Sequence, residues 1–200
     1  QEMMVRYVHD MGGGLVMVGG PEGFGAGGWI GSPVEEALPV VLDPPQRQQM
    51  PKGALVLIMH SVEMPEGNFW GEQVAIAAVR ALSRLDLVGV LDYDWQQGVA
   101  WVYPLSPVGD KDRVIAAIRR MQMGDMPSFK DAMEAAFEAL KKCDAGQRHM
   151  IIISDGDPAP PTAEFLATLK AAKISVSGVA VFPHSPADVQ SLHRVAQATG

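Results

Sequence analysis

Two short polar stretches hold most of the side chains in this chain that could do chemistry. His60-Ser61-Val62-Glu63-Met64 follows the apolar run Ala54–Met59, and Ser154-Asp155-Gly156-Asp157-Pro158 follows the run Met150–Ile153. Apolar runs of that length, bounded by turn residues, read as buried strands. In an open α/β sheet, ligands gather outside the carboxyl ends of the strands, where strand order reverses. Ser61, Glu63, Asp155 and Asp157 would then face one crevice, and oxygens gathered in this way suit a hard cation such as Mg²⁺. The competing reading is that Ser154 and Asp155 only cap the backbone of their turn. His60 could be read as a catalytic base, but no nucleophile is placed by sequence to serve it. A structural or surface histidine is the expectation.

Two further motifs carry less. Gly23-Phe-Gly25-Ala-Gly27-Gly28 matches G-x-G-x-x-G, the spacing that seats a pyrophosphate between a strand and a helix N-terminus. Here the preceding apolar run ends near Val18, and Trp29-Ile-Gly-Ser-Pro33 cannot open a helix directly. A glycine loop is expected instead, with a nucleotide-binding protein kept as an alternative. Cys143 follows Lys141-Lys142 at the end of a helical period, where the helix dipole disfavours a thiolate. It is expected to be a bystander thiol.

The elements that must position these residues follow from pattern. Residues 1–50 open with a short amphipathic stretch, an apolar run Leu15–Val18 and a glycine-rich loop. Ser32-Pro33 before Glu35-Glu36 then has the form of a helix start. Asp43-Pro44-Pro45 through Gln49 reads as a linker. From residue 51 to 200, strand runs at Ala54–Met59, Leu87–Leu91, Val99–Tyr103, Met150–Ile153 and Ile174–Phe182 alternate with helical periods. Helix faces are Val74, Ala78, Leu82 and Leu85, then Val114, Ile118 and Met121, then Phe129, Met133, Phe137 and Leu140. Phe165 with Leu169, and Val189 with Leu192 and Ala196, supply two more. Strands 87–91 and 99–103 are too close for a parallel crossover and should form a hairpin. The predicted fold is a doubly wound, mostly parallel α/β sheet with one antiparallel edge strand.

The chain of 200 residues carries a formal charge of −7 and has no basic cluster beyond Lys141–Lys142 and Arg119–Arg120. That balance argues against nucleic acid as a partner. One cysteine excludes an internal disulfide framework, and no apolar run approaches the 18 or more residues of a membrane span. A soluble piece is expected.

The stretch from Ala54 to Gly200 resembles a von Willebrand factor type A domain. The resemblance rests on Leu87-Val-Gly-Val-Leu-Asp92, Trp101-Val-Tyr-Pro-Leu-Ser-Pro-Val-Gly-Asp-Lys111, Ile151-Ile-Ile-Ser-Asp-Gly-Asp157 and Ile174-Ser-Val-Ser-Gly-Val-Ala180. The segment from Gly12 through Phe24-Gly-Ala-Gly-Gly28 to Pro39 resembles part of a glutamine amidotransferase-like module. Such a module accompanies A domains in large bacterial membrane-anchored proteins. The stretch is short for the whole module and lacks that chemistry's catalytic Cys and His, so a remnant or a tail is expected.

The A-domain resemblance implies a metal-ion-dependent adhesion site: D-x-S-x-S after the first strand, a Thr in a later loop and an Asp after the fourth strand. Placed residue by residue, Met59 stands at the first Asp, Ser61 at the first Ser and Glu63 at the second. Pro127 stands at the Thr and Asp155 at the last Asp. A thioether and a proline ring offer Mg²⁺ nothing. The expected function is therefore a non-enzymatic, metal-independent protein–protein interaction module with no cofactor. It would act through the carboxyl-end crevice and the loops from His60 to Asn68. The alternative is a divalent-metal site, with Mg²⁺ as cofactor, built from Ser61, Glu63, Asp155 and Asp157. Without metal, Asp155 should bond backbone N–H groups of its loops. A sixth strand normally follows the last helix of an A domain. Strand 174–182 is therefore expected to be an apolar edge, covered by Leu15–Val18 or by pairing with a neighbouring molecule.

Overall fold

The computed structural model describes residues 1–19, 28–40, 42, 52–62, 64–121 and 124–200. The chain divides into two compact units, Gln1–Met50 and Pro51–Gly200, on the boundary the Pro-rich stretch suggests. The glycine loop 20–27, the whole of the predicted linker 43–49 and Glu63 lie outside the described residues.

The first unit contains α1 (Glu2–His9) and α2 (Pro33–Glu36). Proline at the first position of α2 and two acids in its first turn match the signals in the sequence. The run Leu15–Val18 forms no strand, and Val16 and Val18 are 86% and 90% exposed.

The second unit is built as β1 (Gly53–Met59), α3 (Pro65–Ala81), β2 (Leu87–Asp94), β3 (Gly98–Pro107), α4 (Lys111–Ile118), α5 (Lys130–Lys142), β4 (Gln147–Ser154), α6 (Ala163–Ala171), β5 (Ile174–Ala180) and α7 (Pro186–Thr199). The five strands form one sheet in the order β3-β2-β1-β4-β5. β1 pairs in parallel with both β2 and β4, and β4 with β5, while β2 and β3 pair antiparallel. The doubly wound α/β expectation holds. Because β1 has β2 on one side and β4 on the other, strand order reverses there, and the carboxyl ends of β1 and β4 open a crevice.

Both faces of the sheet are buried, which explains why its strands read as continuous apolar runs. Along β1, Ala54, Val56 and Ile58 point to one core with Phe129, Met133 and Leu140 around α5 and Leu192 and Val195 of α7. Leu55, Leu57 and Met59 point to the other, against Ala75, Ile76 and Val79 of α3 and Val114, Ile115 and Ile118 of α4. A one-residue slip of β1 would exchange every one of these contacts, so its register is fixed by packing.

β5 ends at Ala180, earlier than the apolar run suggests. The backbone leaves the strand and Phe182 adopts φ 50°, a strained setting for a bulky residue. Among the described residues β4 is the sole strand beside β5, so the expected covering by Leu15–Val18 is not found. The end of α7 answers part of that exposure: the Val176 N–H donates to Thr199 Oγ1 at 3.0 Å. A side chain takes the place a sixth strand would fill.

Phe129 is fully buried between the sheet and α5. Phe129→Ala should cost about 3–5 kcal/mol, read as a lower urea midpoint with an unchanged slope.

Candidate functional site

The crevice forms where β1 and β4 hand over to their loops. The His60 N–H still donates to Ile153 O (3.1 Å), and the Ser61 N–H donates to Gly124 O (3.3 Å). The Gly124 N–H in turn donates to Tyr93 O at 2.7 Å, tying the 124–129 loop to the end of β2. After β4, Gly156 sits at φ 99°, and a Cβ there would lie 2.6 Å from Asp188 O. Only glycine allows the Asp155–Asp157 turn to pass that close to α7.

His60 occupies the middle of this arrangement, with its side chain 1% exposed. Its Nδ1 lies 3.0 Å from Ser154 Oγ and 3.3 Å from Asp155 Oδ1. Its Nε2 lies 3.3 Å from Asp125 Oδ1 and 4.0 Å from Asp157 Oδ1. The Asp155 side chain is equally buried, and His184 Nε2 stands 3.5 Å from its Oδ2. The proton count is constrained. Ser154 Oγ donates its one hydrogen to Asp155 Oδ1 (3.2 Å) and accepts from the Gly156 N–H (3.0 Å). The bond between Ser154 Oγ and Nδ1 must therefore come from an Nδ1–H. Nε2 is left facing two carboxylates.

Burial pushes the Asp157 carboxyl up to about 6, helped by its hydrogen bond and charge contact with Asp155 and opposed by the charge of His60. Three carboxylates thus share one buried imidazole.

The structure separates the residues named from the sequence. Asp155 and Asp157 lie in the crevice. Asp155 Oδ1 accepts one backbone bond, from the Asp157 N–H at 3.4 Å, alongside His60 and alongside His184, which the sequence did not place there. Met59 is not in the crevice at all: it is fully buried in the core against α3. The residue at the end of the strand that turns into the crevice is His60, one position later. Counted from His60, the D-x-S-x-S spacing puts Val62 and Met64 where serines would stand. Val62 is buried, and its backbone is clamped by Asn68, which accepts from the Val62 N–H and donates to its carbonyl, both at 2.9 Å. The sequence reading also missed Asp125, whose loop is close to β1 only after folding.

A hard, octahedral cation fits this set poorly. The space between the carboxylates of Asp125, Asp155 and Asp157 holds the imidazole ring of His60. The group that could hold an ion is His60, Asp125 and Asp157, whose ligand atoms lie within 4.8 Å of one another. That is a nitrogen-and-carboxylate set.

Solved structures supply the comparison. A von Willebrand factor type A protein from Catenulispora acidiphila superposes with a TM-score of 0.59 at 16% identity over 74% of this chain. The conserved hypothetical protein BatB from Bacteroides thetaiotaomicron gives 0.55 at 14% identity, covering 74% of this chain and 86% of its own. The fold is that of a von Willebrand factor type A domain. Proximal thread matrix protein 1 of the mussel byssus, solved with zinc in its metal-ion-dependent adhesion site, gives 0.53 at 16% identity over 64% of this chain. This chain spans 37% of the mussel protein's length and 37% of the Catenulispora protein's. No family sequence model and no curated protein matches the sequence.

The von Willebrand-like crevice depends on its histidine. His60→Ala should destabilise the domain by about 3 kcal/mol or more, because it leaves the buried Asp155 without its principal partner. Adding Asp155→Asn should return part of that loss, and a double-mutant cycle in urea reads the coupling.

Proposed function

We propose that this chain is a non-enzymatic protein-interaction module that does not use a bridging Mg²⁺. The observation that carries the reading is the state of the crevice mouth. His60 fills its floor, and Met64, Phe182, Pro183 and His184 line one groove beside it. Met64 and Phe182 are 50% and 46% exposed, and Phe69 and Trp70 in the first turns of α3 are exposed as well. Exposed apolar side chains beside polar groups mark interaction surfaces. The backbone strain at Phe182 holds one of those rings outward, and such strain persists where a site requires it. The solved relatives support the fold only; the interaction role is inferred from this surface.

The hydroxyl beside His60, Ser154 Oγ, is fully buried and bonded to Asp155, Gly156 and Nδ1, so among the described residues none offers His60 an accessible nucleophile. The amidotransferase-like origin of residues 1–50 stays a proposal, carried by the sequence resemblance alone.

A second reading has one observation in its favour. Tetrahedral ligands at about 2.0–2.1 Å from Zn²⁺ stand about 3.3 Å apart. Nε2 lies 3.3 Å and 4.0 Å from the two carboxylate oxygens. With Nδ1–H donated to Ser154 Oγ, which in turn donates to Asp155, Nε2 has the orientation that metal-binding histidines take from a hydrogen-bond partner behind them.

Calorimetry separates the readings. Titration with Mg²⁺, Mn²⁺ or Ca²⁺ up to about 10 mM, above the weakest ordinary Ca²⁺ sites, should give no saturable heat. Saturable heat from any of them would defeat the Mg²⁺-independent reading. Saturable Zn²⁺ binding that Asp125→Asn abolishes would establish the second. A photo-crosslinking side chain at position 182 should capture a partner with or without EDTA, and one at position 142 should not. Equal capture at both positions would remove the surface assignment.

A further inference from the structure

A second acidic feature lies apart from the crevice, on the α4 side of the β2–β3 hairpin. Val88 and Val90 of β2 face the core there. By strand alternation Asp92 continues the same face, where another apolar residue would be expected. It is 6% exposed. It lines a cavity of about 410 Å³ together with Asp94, Ala100, Val102, Ala117, Arg120 and Met121. No side chain among the described residues donates to its carboxylate, and its own backbone N–H is the one donor acting on it. Burial, and then the charge of Asp94, push it up to about 6.

Neither neighbour relieves it. Asp94 Oδ1 is committed to the hairpin turn, accepting from the Gln96 and Gln97 N–H groups at 2.8 and 2.9 Å. Arg120 lines the cavity without forming an ion pair with either aspartate among the described residues. A buried carboxylate left without a cation costs stability, so its place at the bottom of an open cavity calls for a ligand. The walls beside it, Ala100, Val102, Ala117 and Met121, are apolar. Gln97 and Trp101 complete the lining, and a cavity of mixed apolar and acidic walls matches an aliphatic stem that ends in a positive head, the build of lysine and arginine side chains.

We propose that this cavity receives the alkylammonium or guanidinium group of a basic side chain belonging to a partner segment. The proposal rests on the interaction role proposed above and gives the partner its chemistry. Charge agrees with it: the chain carries −7 overall. At the cavity Asp94 adds a second carboxylate beside Asp92, and Asp125 and Asp157 add exposed charge at the crevice. Such charge steers cationic partners and rejects acidic ones.

The test uses the whole chain, amide and methyl NMR, and four probes: acetyl-Gly-Arg-Gly-amide, acetyl-Gly-Lys-Gly-amide, acetyl-Gly-Glu-Gly-amide and agmatine. Signals of Ala100, Val102 and Ala117 should move saturably with the arginine or lysine peptide at up to about 10 mM, the range of weak single-side-chain binding. The glutamate peptide should leave them still. Asp92→Asn should weaken the basic peptide at least tenfold. The thermal signature is independent of any ligand. Folded Asp92 keeps its proton up to about pH 6, whereas an unfolded chain releases it near 3.8. The folded state therefore gains stability below that window and loses it as pH rises through it. Asp92→Asn should raise Tm at pH 7.5 and raise it progressively less as pH falls toward 3.8. A lower Tm at pH 7.5 would show that Asp92 already has a structural partner, and would overturn the proposal. So would unmoved signals, or an Asp92→Asn chain that binds equally well. Agmatine binding more tightly than both peptides would assign the cavity to free amines and overturn the partner segment. Loss of crosslinking at position 182 with these results intact would remove the interaction role and leave the cation cavity standing.

Discussion

Asp155 brings a carboxylate to a point where 1% of its side chain meets solvent, and a carboxylate there must be met by donors or by positive charge. Much of the crevice follows from that need. His60 turns inward to place Nδ1 against it, Ser154 gives its hydroxyl proton to it, and His184 approaches its second oxygen. Glycine at position 156 is required because the turn that carries Asp155 must pass against Asp188. In this chain an imidazole meets the buried acid and fills the crevice floor. On the interaction role proposed above, contact with a partner would come from the side chains at the rim.

The sheet supports this economy because its interior is apolar on both faces. β1 carries Ala54, Val56 and Ile58 into one core and Leu55, Leu57 and Met59 into the other. With six consecutive positions committed to packing, the first residue free to do something else is His60. Position in the strand, more than residue type, decides that Met59 is core and His60 is site. β2 behaves differently, since its apolar face runs into Asp92 before the strand ends. Packing stops one residue early there, and the cavity beside α4 is the result.

The alternation of strands and helices, the hairpin and the crevice at the reversal of strand order were legible in the sequence, because each has a local signal. Continuous apolar runs mark doubly covered strands, and the seven residues between strands 87–91 and 99–103 are too few for a crossover. The site was legible only in part. Asp155 was visible because it ends a strand within a Ser-Asp-Gly turn. Asp125 was not: its loop is brought to β1 through the Gly124 bonds to Ser61 and Tyr93, which no local pattern announces. Met59 stands at the first Asp position by resemblance alone, while the structure commits its side chain to the core. The periodicity of Leu55, Leu57 and Met59 was the signal that could have settled it. The run Leu15–Val18 shows the converse, for apolar residues between glycines signal a strand only when a sheet exists to receive them.

The edge at β5 has a physical answer that differs from the one expected. A bare parallel edge offers unpaired N–H and C=O groups as a template for another chain. Here the strand is short, seven residues from Ile174 to Ala180. Ser175, Ser177 and Gly178 lower its apolar content, and Thr199 takes the Val176 N–H. The same Oγ1 donates within α7, to Val195 O and Ala196 O at 3.2 Å each, so one hydroxyl ties the helix terminus to the strand. Gly178 completes the seal: a Cβ there would meet Leu192 at 2.8 Å, so α7 lies directly on the strand. Short length, polar content and a helix seated on the strand are the devices by which sheets discourage edge pairing. On the interaction role proposed above, the surface offered to a partner is the carboxyl-end rim with its exposed rings, and the flank of the sheet is not.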